Sequence, residues 1–157
     1  MSETTTIKEV TLTRIFNAPR ELVFKAFTNR EMMMQWWGPH GFTNPDCDMD
    51  ARVNGKWGIN MHAPQMGFPN QWCKGIFIEL DEPRKIVFTS RAFIDENDKA
   101  GLEGVNTVTL EDVNGKTKLT LHATLTKLNE GYQMAADGMQ QGWSESLEKL
   151  NILLSNS

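Results

Sequence analysis

Residues 132–154 read YQMAADGMQQGWSESLEKLNILL, and the spacing inside this stretch decides the fold. Tyr132, Ala136, Met139, Trp143, Leu147, Leu150 and Leu154 follow one another at steps of four, three, four, four, three and four. Such steps trace one face of a helix, so a single long helix is expected from near Glu130 or Gly131. Almost everything between residues 42 and 125 reads instead as short strands joined by turns. A long helix that follows a run of strands has to bury its stripe against their sheet. Whether core or cavity lies between helix and sheet then decides what the molecule does.

Toward the N-terminus, Val10, Leu12 and Phe16 share one phase of a two-residue period, with Thr11, Thr13 and Ile15 on the other. That is a first strand. Asn17 and Ala18 lead into Pro19, a favoured first helical residue, and Leu22, Val23, Ala26 and Phe27 give a short helix its buried side. Thr28 or Asn29 can cap a second short helix, Arg30 to about Trp36, which Gly38 and Pro39 stop. Cys47, Met49, Ala51 and Val53 alternate with Asp46, Asp48, Asp50 and Arg52, a half-buried strand with an acidic edge. Asn54-Gly55 signals a hairpin, and Trp57, Ile59 and Met61 return from it. Residues 62–70 read as a loop, Trp72 to Leu80 and Lys85 to Phe93 as strands, and residues 95–104 as a mobile loop. Val108 and Leu110 mark the next strand. Asn114-Gly115 makes a second hairpin, and Leu119, Leu121, Ala123 and Leu125 alternate with polar neighbours. The fold class is α+β: a curved antiparallel sheet of six to seven strands around a long C-terminal helix, with two short helices between the first two strands.

The 157 residues suffice for one domain, expected over 1–157 with its core at about 8–155. No run nears the roughly 20 apolar residues of a membrane helix. Residues 1–9 lack the apolar run of a secretory signal, so a cytoplasmic protein is expected. The net charge is −4, and no Lys/Arg cluster occurs. That argues against a nucleic-acid partner, whose binding needs a basic stripe. Cys47 and Cys73 read as two reduced, packed thiols rather than a disulfide or metal pair.

Several stretches together carry a resemblance. Pro19-x-Glu21-x-Val23-Phe24-x-Ala26-Phe27-Thr28 resembles the opening helix of the START-like, or SRPBCC, superfamily. Glu31 with Trp36-Trp37-Gly38-Pro39 is similar to the signature of one branch, the family related to the activator of the 90-kDa heat-shock chaperone's ATPase. Asn54-Gly55-Lys56-Trp57 sits where that family usually has a double glycine before a basic and an aromatic residue; here Asn54 replaces the first glycine. Glu82 to Val87 looks like its strand-entry turn, and Gly142-Trp143 with Leu147 and Leu150 like its closing helix. The resemblance implies a helix-grip fold with a deep cavity between the long helix and the sheet. It does not imply one activity, since the superfamily holds carriers, cyclases and chaperone co-factors.

Trp36, Trp37, Phe42, Trp57, Met61, Phe77, Met134, Met139 and Trp143 form the candidate binding set. Any one alone reads as core. Together, in a chain with nine methionines and five tryptophans, they suggest a pocket wall that adapts to an apolar guest. Burial would hold that guest, at about 25 cal/mol per Å². Met32, Met33 and Met34 cover all sides of a short helix and could instead meet a partner. Arg14 is in phase with the inward residues of its strand. It is either a strand-end arginine that snorkels or pairs with an acid, or an anchor for a ligand carboxylate or phosphate. His62 and His40 are surface histidines or acid–base groups at a pocket mouth; His122 points outward. Asp46, Asp48 and Asp50 imitate the start of a calcium loop, but Ala51 and Trp57 stand where glycine and glutamate are required. Ser144 and Ser146 lack a nucleophile elbow. No catalytic residue, metal or cofactor is assigned.

Three readings follow. The first is a non-enzymatic protein holding a small hydrophobic or aromatic molecule in the cavity. Its ligand-binding residues would be Arg14, Trp37, Phe42, Trp57, Met61, His62, Phe77, Met139 and Trp143. The second, implied by the resemblance, is a co-chaperone or stress-response module with a heat-shock chaperone as partner, meeting it through Met32 to Trp36. The third is a cyclase- or dehydratase-type enzyme in which His62 or Arg14 moves a proton. Monomer and homodimer are both open.

Overall fold

Hairpin chemistry builds the sheet. Asn114 and Gly115 both take positive φ, 55° and 86°, the backbone whose twist matches two paired strands. β6 (Ala100–Val113) and β7 (Lys116–Leu128) pair from Val113↔Lys116 back to Leu102↔Leu128. The computed structural model describes residues 7–156. Along these run β1 (Lys8–Phe16), α1 (Arg20–Thr28), α2 (Arg30–Trp36), β2 (Cys47–Met49), β3 (Lys56–Ala63), β4 (Phe68–Asp81) and β5 (Lys85–Ile94), ahead of β6 and β7. α3 (Gln133–Asp137) and α4 (Met139–Ser155) close the chain. All seven strands form one antiparallel sheet in the order β1-β7-β6-β5-β4-β3-β2, so the first strand returns to pair with the last. Irregularities at Met61/Ala63, Phe77/Glu79 and Glu103/Gly104 interrupt the register. Each bends its strand, and the sheet curves.

Alternation sets the inner face. Val10, Leu12 and Phe16 on β1 are buried, as are Leu119, Leu121, Ala123 and Leu125 on β7. Ile15, on the other phase of β1, is 54% exposed. His122 lies on the outer face beside Glu9 at 3.1 Å. α1 buries Phe24 as well as Val23, Ala26 and Phe27, while Leu22 is only partly covered. Pro19 caps α1 rather than opening it. Asn29 caps α2 by accepting from the Met32 amide at 2.9 Å.

Four expectations are corrected. The strand written across Cys47 to Val53 ends at Met49: Asp50 and Arg52 pair at 2.8 Å, the chain turns, and Val53 is 52% exposed. Asn54-Gly55 therefore closes a wider loop, with the Gly55 amide donating to the Arg52 carbonyl. Residues 62–70 are not a loop, because β3 runs to Ala63 and β4 starts at Phe68 after a single turn at Pro64–Met66. The polar stretch 95–104 shortens likewise. Asp95 accepts the Asn97 and Lys99 amides, which tightens the turn, and β6 begins at Ala100. The C-terminal helix is broken. Gly138, at φ −88° and ψ 0°, separates α3 from α4, as a residue with poor helix propensity can. Tyr132 leaves the stripe and packs its ring against Phe93, centroids 5.3 Å apart.

α4 meets two different surroundings along its length. Leu147, Leu150 and Leu154 are at most 3% exposed in the main core. Met139, its first residue, and Trp143, one turn further on, are only partly buried. Among the described residues no helix is long and apolar enough to cross a membrane.

Candidate functional site

A cavity of about 170 Å³ lies beneath the first turns of α4. The helix contributes Met139, Gly142, Trp143 and Ser146. The sheet contributes Met61 from β3, Cys73 from β4, Ser90 and Ala92 from β5, and Leu102, Gly104 and Asn106 from β6. Trp37, Gly38 and Pro39, on the loop after α2, close one side. The lining is overwhelmingly apolar, and the cavity opens to solvent rather than being sealed.

The loop is pinned in place. Trp36 is fully buried and donates its indole N–H to the Ala26 carbonyl at 2.9 Å. Gly38 takes φ 92°, a conformation open to glycine, and a side chain there would crowd Met61 at 3.2 Å. Asn44 donates to the carbonyls of Met34 at 3.1 Å and Trp37 at 2.8 Å. Lys149 reaches in from α4 to the carbonyls of Trp37, Gly38 and Phe42, at 3.1, 3.2 and 3.4 Å. These carbonyls follow the end of α2, where orphan acceptors and negative potential gather and a cation is well placed. Burial draws the Lys149 pKa down, and the neighbouring Glu145 carboxylate opposes that shift. Glu145 also accepts the His40 amide at 2.9 Å, and the His40 ring meets Glu148 at 3.1 Å.

Aromatic rings build the wall behind Trp37. Its ring lies 5.3 Å from Trp143 on one side and 5.3 Å from Trp57 on the other, both edge-on. Trp57 in turn meets Phe88 edge-to-face at 5.6 Å and donates its N–H to the Thr89 carbonyl. Edge-to-face pairs of this kind hold rings in fixed orientation.

Of the residues singled out in the sequence, Trp37, Met61, Met139 and Trp143 come together on the cavity wall. Trp57 and Phe77 are buried, 3% and 2% exposed, in the core behind it. Phe42 accepts from Lys149 through its carbonyl and lies off the wall. His62 pairs through its backbone with Thr43, also off the wall. Arg14 donates to Ser144 at 2.9 Å and to the Thr13 carbonyl at 2.9 Å, tying β1 to α4 away from the cavity. Met134 is 88% exposed on α3. Met32 to Trp36 is not an open patch, because Met33 is 2% and Trp36 0% exposed.

Two features went unread in the sequence. Lys149 looked like an ordinary helix-surface lysine. Ser90 and Asn106 sit on the inward phase of β5 and β6, and their only sequence signal is a polar residue two places from an apolar inward one. Titratable groups on the wall are Cys73 and Glu103. Burial pushes the Cys73 thiol up to about 12, so it stays protonated. Cys47, also buried and free, is pushed up to about 11. Glu103 is paired with Arg91 and Lys127, both at 3.7 Å. Among the described residues no three His, Cys, Asp or Glu side chains are grouped to hold a metal.

A curved antiparallel sheet gripping a C-terminal helix over a cavity defines the START-like class of protein. Within it, residues 17–155 match the family described as Activator of Hsp90 ATPase homolog 1-like protein, and the chain belongs to that family. Similar solved structures include a protein from Arthrobacter aurescens, with TM-score 0.81 and 22% identity over 95% of this chain and 87% of that one. The AHSA1 protein from Silicibacter pomeroyi has TM-score 0.76 and 24% identity over 94% and 98%. A Staphylococcus epidermidis protein has TM-score 0.74 and 26% identity over 97% and 94%. No curated protein matches the chain.

Proposed function

We propose that the protein binds a small hydrophobic or aromatic molecule, without turning it over, in the cavity under α4. The observation that carries this reading is the contrast along one helix. Leu147, Leu150 and Leu154 are packed into solid core, whereas Met139 and Trp143 border an apolar space. The volume bounds the guest. Cavities of about 150 Å³ with apolar walls take a benzene, while drug-sized ligands occupy roughly 300–1,000 Å³. At about 170 Å³ the space suits one ring or a small fused pair, and a long acyl chain would overfill it. Met61 and Met139 give the wall some adaptability, and Trp37 and Trp143 offer ring faces and edges to a planar guest.

Titration with single-ring and fused-ring aromatics, followed by tryptophan fluorescence, tests the reading. Quenching that saturates is the expected result, because Trp37 and Trp143 line the site. No saturable change across a broad aromatic and lipid panel would contradict it. A chaperone-associated role is the second reading, and the family's description is what favours it. A pull-down with a 90-kDa heat-shock chaperone that recovers nothing would remove that option.

A further inference from the structure

We propose that the cavity selects a small hydroxylated aromatic of the phenol class, with the hydroxyl seated between Asn106 and Ser90. The inference rests on the cavity being a binding site and goes on to name what it prefers. Asn106 is 3% exposed, lies on the wall, and sits on β6 directly opposite Phe88 of β5. Its amide nitrogen donates to the Phe88 carbonyl at 3.4 Å and to Ser90 Oγ at 3.1 Å. A carbonyl can only accept, so the carboxamide's orientation is fixed by its partner. Oδ1 is thereby left to accept, and no described residue donates to it. Ser90 Oγ receives the Asn106 proton, and its own hydroxyl proton has no acceptor among the described residues. A largely apolar chamber thus contains an unused acceptor beside an unused donor.

A hydroxyl group answers both at once. Its proton goes to Asn106 Oδ1, and its oxygen accepts from Ser90 Oγ–H, closing a ring of three hydrogen bonds with the existing Asn106–Ser90 contact. An ammonium would satisfy Oδ1 but has no lone pair to accept the serine's proton. A carboxylate would be repelled by the Oδ1 lone pairs. Burying a hydroxyl without partners is costly, so a purely apolar chamber favours toluene over phenol, two molecules of nearly equal shape. A chamber with this polar pair reverses the order, because a site built for a hydroxyl leaves its own groups unpaired when the hydroxyl is missing.

The test is an NMR titration of the unmodified protein with phenol, toluene and anisole, read on the indole N–H signals of Trp37 and Trp143. Phenol is expected to bind at least about threefold tighter than toluene and about tenfold tighter than anisole, whose ether has no proton to give. Asn106→Leu should invert the phenol–toluene order, and Ser90→Ala should narrow the gap between the two. Toluene binding as well as or better than phenol in the unmodified protein overturns the selectivity and leaves the binding reading standing. No saturable shift with any of the three overturns both. The comparison in the unmodified protein decides the matter even if Asn106→Leu does not fold.

Discussion

Lys149 satisfies three backbone carbonyls with one ammonium and so joins α4 to the loop that closes the cavity. Lys149→Met keeps the stem and removes the donors. It should cost about 1–3 kcal/mol, the usual range for hydrogen bonds to a charged group, in urea unfolding. It should also loosen the Trp37 indole signal; an unchanged midpoint would show the contacts to be incidental. The two buried thiols make a prediction about pH. Their folded-state pKa values, about 11 for Cys47 and about 12 for Cys73, lie above the ordinary 9.0. The folded state therefore holds these protons more tightly than the unfolded chain. This contribution to stability is complete below pH 9.0 and drains away as pH rises toward 11 and 12. Replacing both with alanine should flatten the alkaline decline in urea midpoint relative to the parent. A decline of the same slope in both proteins would contradict this.

Gly138 divides what its sequence period writes as one helix, and it does so without crowding. A Cβ there would meet nothing nearer than the Met134 carbonyl at 3.5 Å. Gly138→Ala should fuse α3 to α4 and raise stability by about 0.5–1 kcal/mol in thermal unfolding. A fall would mean the break is required for Tyr132 to reach Phe93. The two halves of α4 should also respond differently. Leu150→Ala removes a fully buried side chain and should cost about 2–5 kcal/mol. Met139→Ala, at the cavity's edge, should cost less than about 1 kcal/mol. Much of this element-level plan was legible in the sequence. The strands with clean alternation, β1 and β7, and the Asn114-Gly115 turn appear where their spacing puts them. The loops at 62–70 and 95–104 were overestimated because proline, glycine and charge mark turns without revealing how tight a turn is. At 95–104 the tightening comes from the Asp95 side chain accepting two amides.

At the scale of the molecule, the long stripe predicted a helix lying on a sheet, and the family resemblance predicted a hollow between them. Neither could say that the hollow occupies only the Met139–Trp143 end. That depends on strand register and on the bends at Met61/Ala63 and Glu103/Gly104, which no local pattern records. The aromatic set showed the same limit. Trp37, Met61, Met139 and Trp143 reach one wall, whereas Trp57 and Phe77 stand behind it in identical-looking sequence contexts. If the hollow is the site, filling it should abolish binding and leave the fold intact. Ala92→Leu extends a wall residue into the space and should weaken aromatic binding by about tenfold or more with stability kept or raised. Far-UV circular dichroism, unfolding midpoints and a ligand titration check both halves of that statement.

The most direct measurement labels the methionine methyls isotopically and records intermolecular nuclear Overhauser effects with a bound single-ring aromatic such as toluene. Met61 and Met139 both line the cavity, whereas Met134 lies exposed on α3. Cross-peaks from the ring protons to both Met61 and Met139, and none to Met134, are the predicted result. Contacts confined to exposed methyls, or a ligand that reaches neither Met61 nor Met139 at saturation, would contradict it.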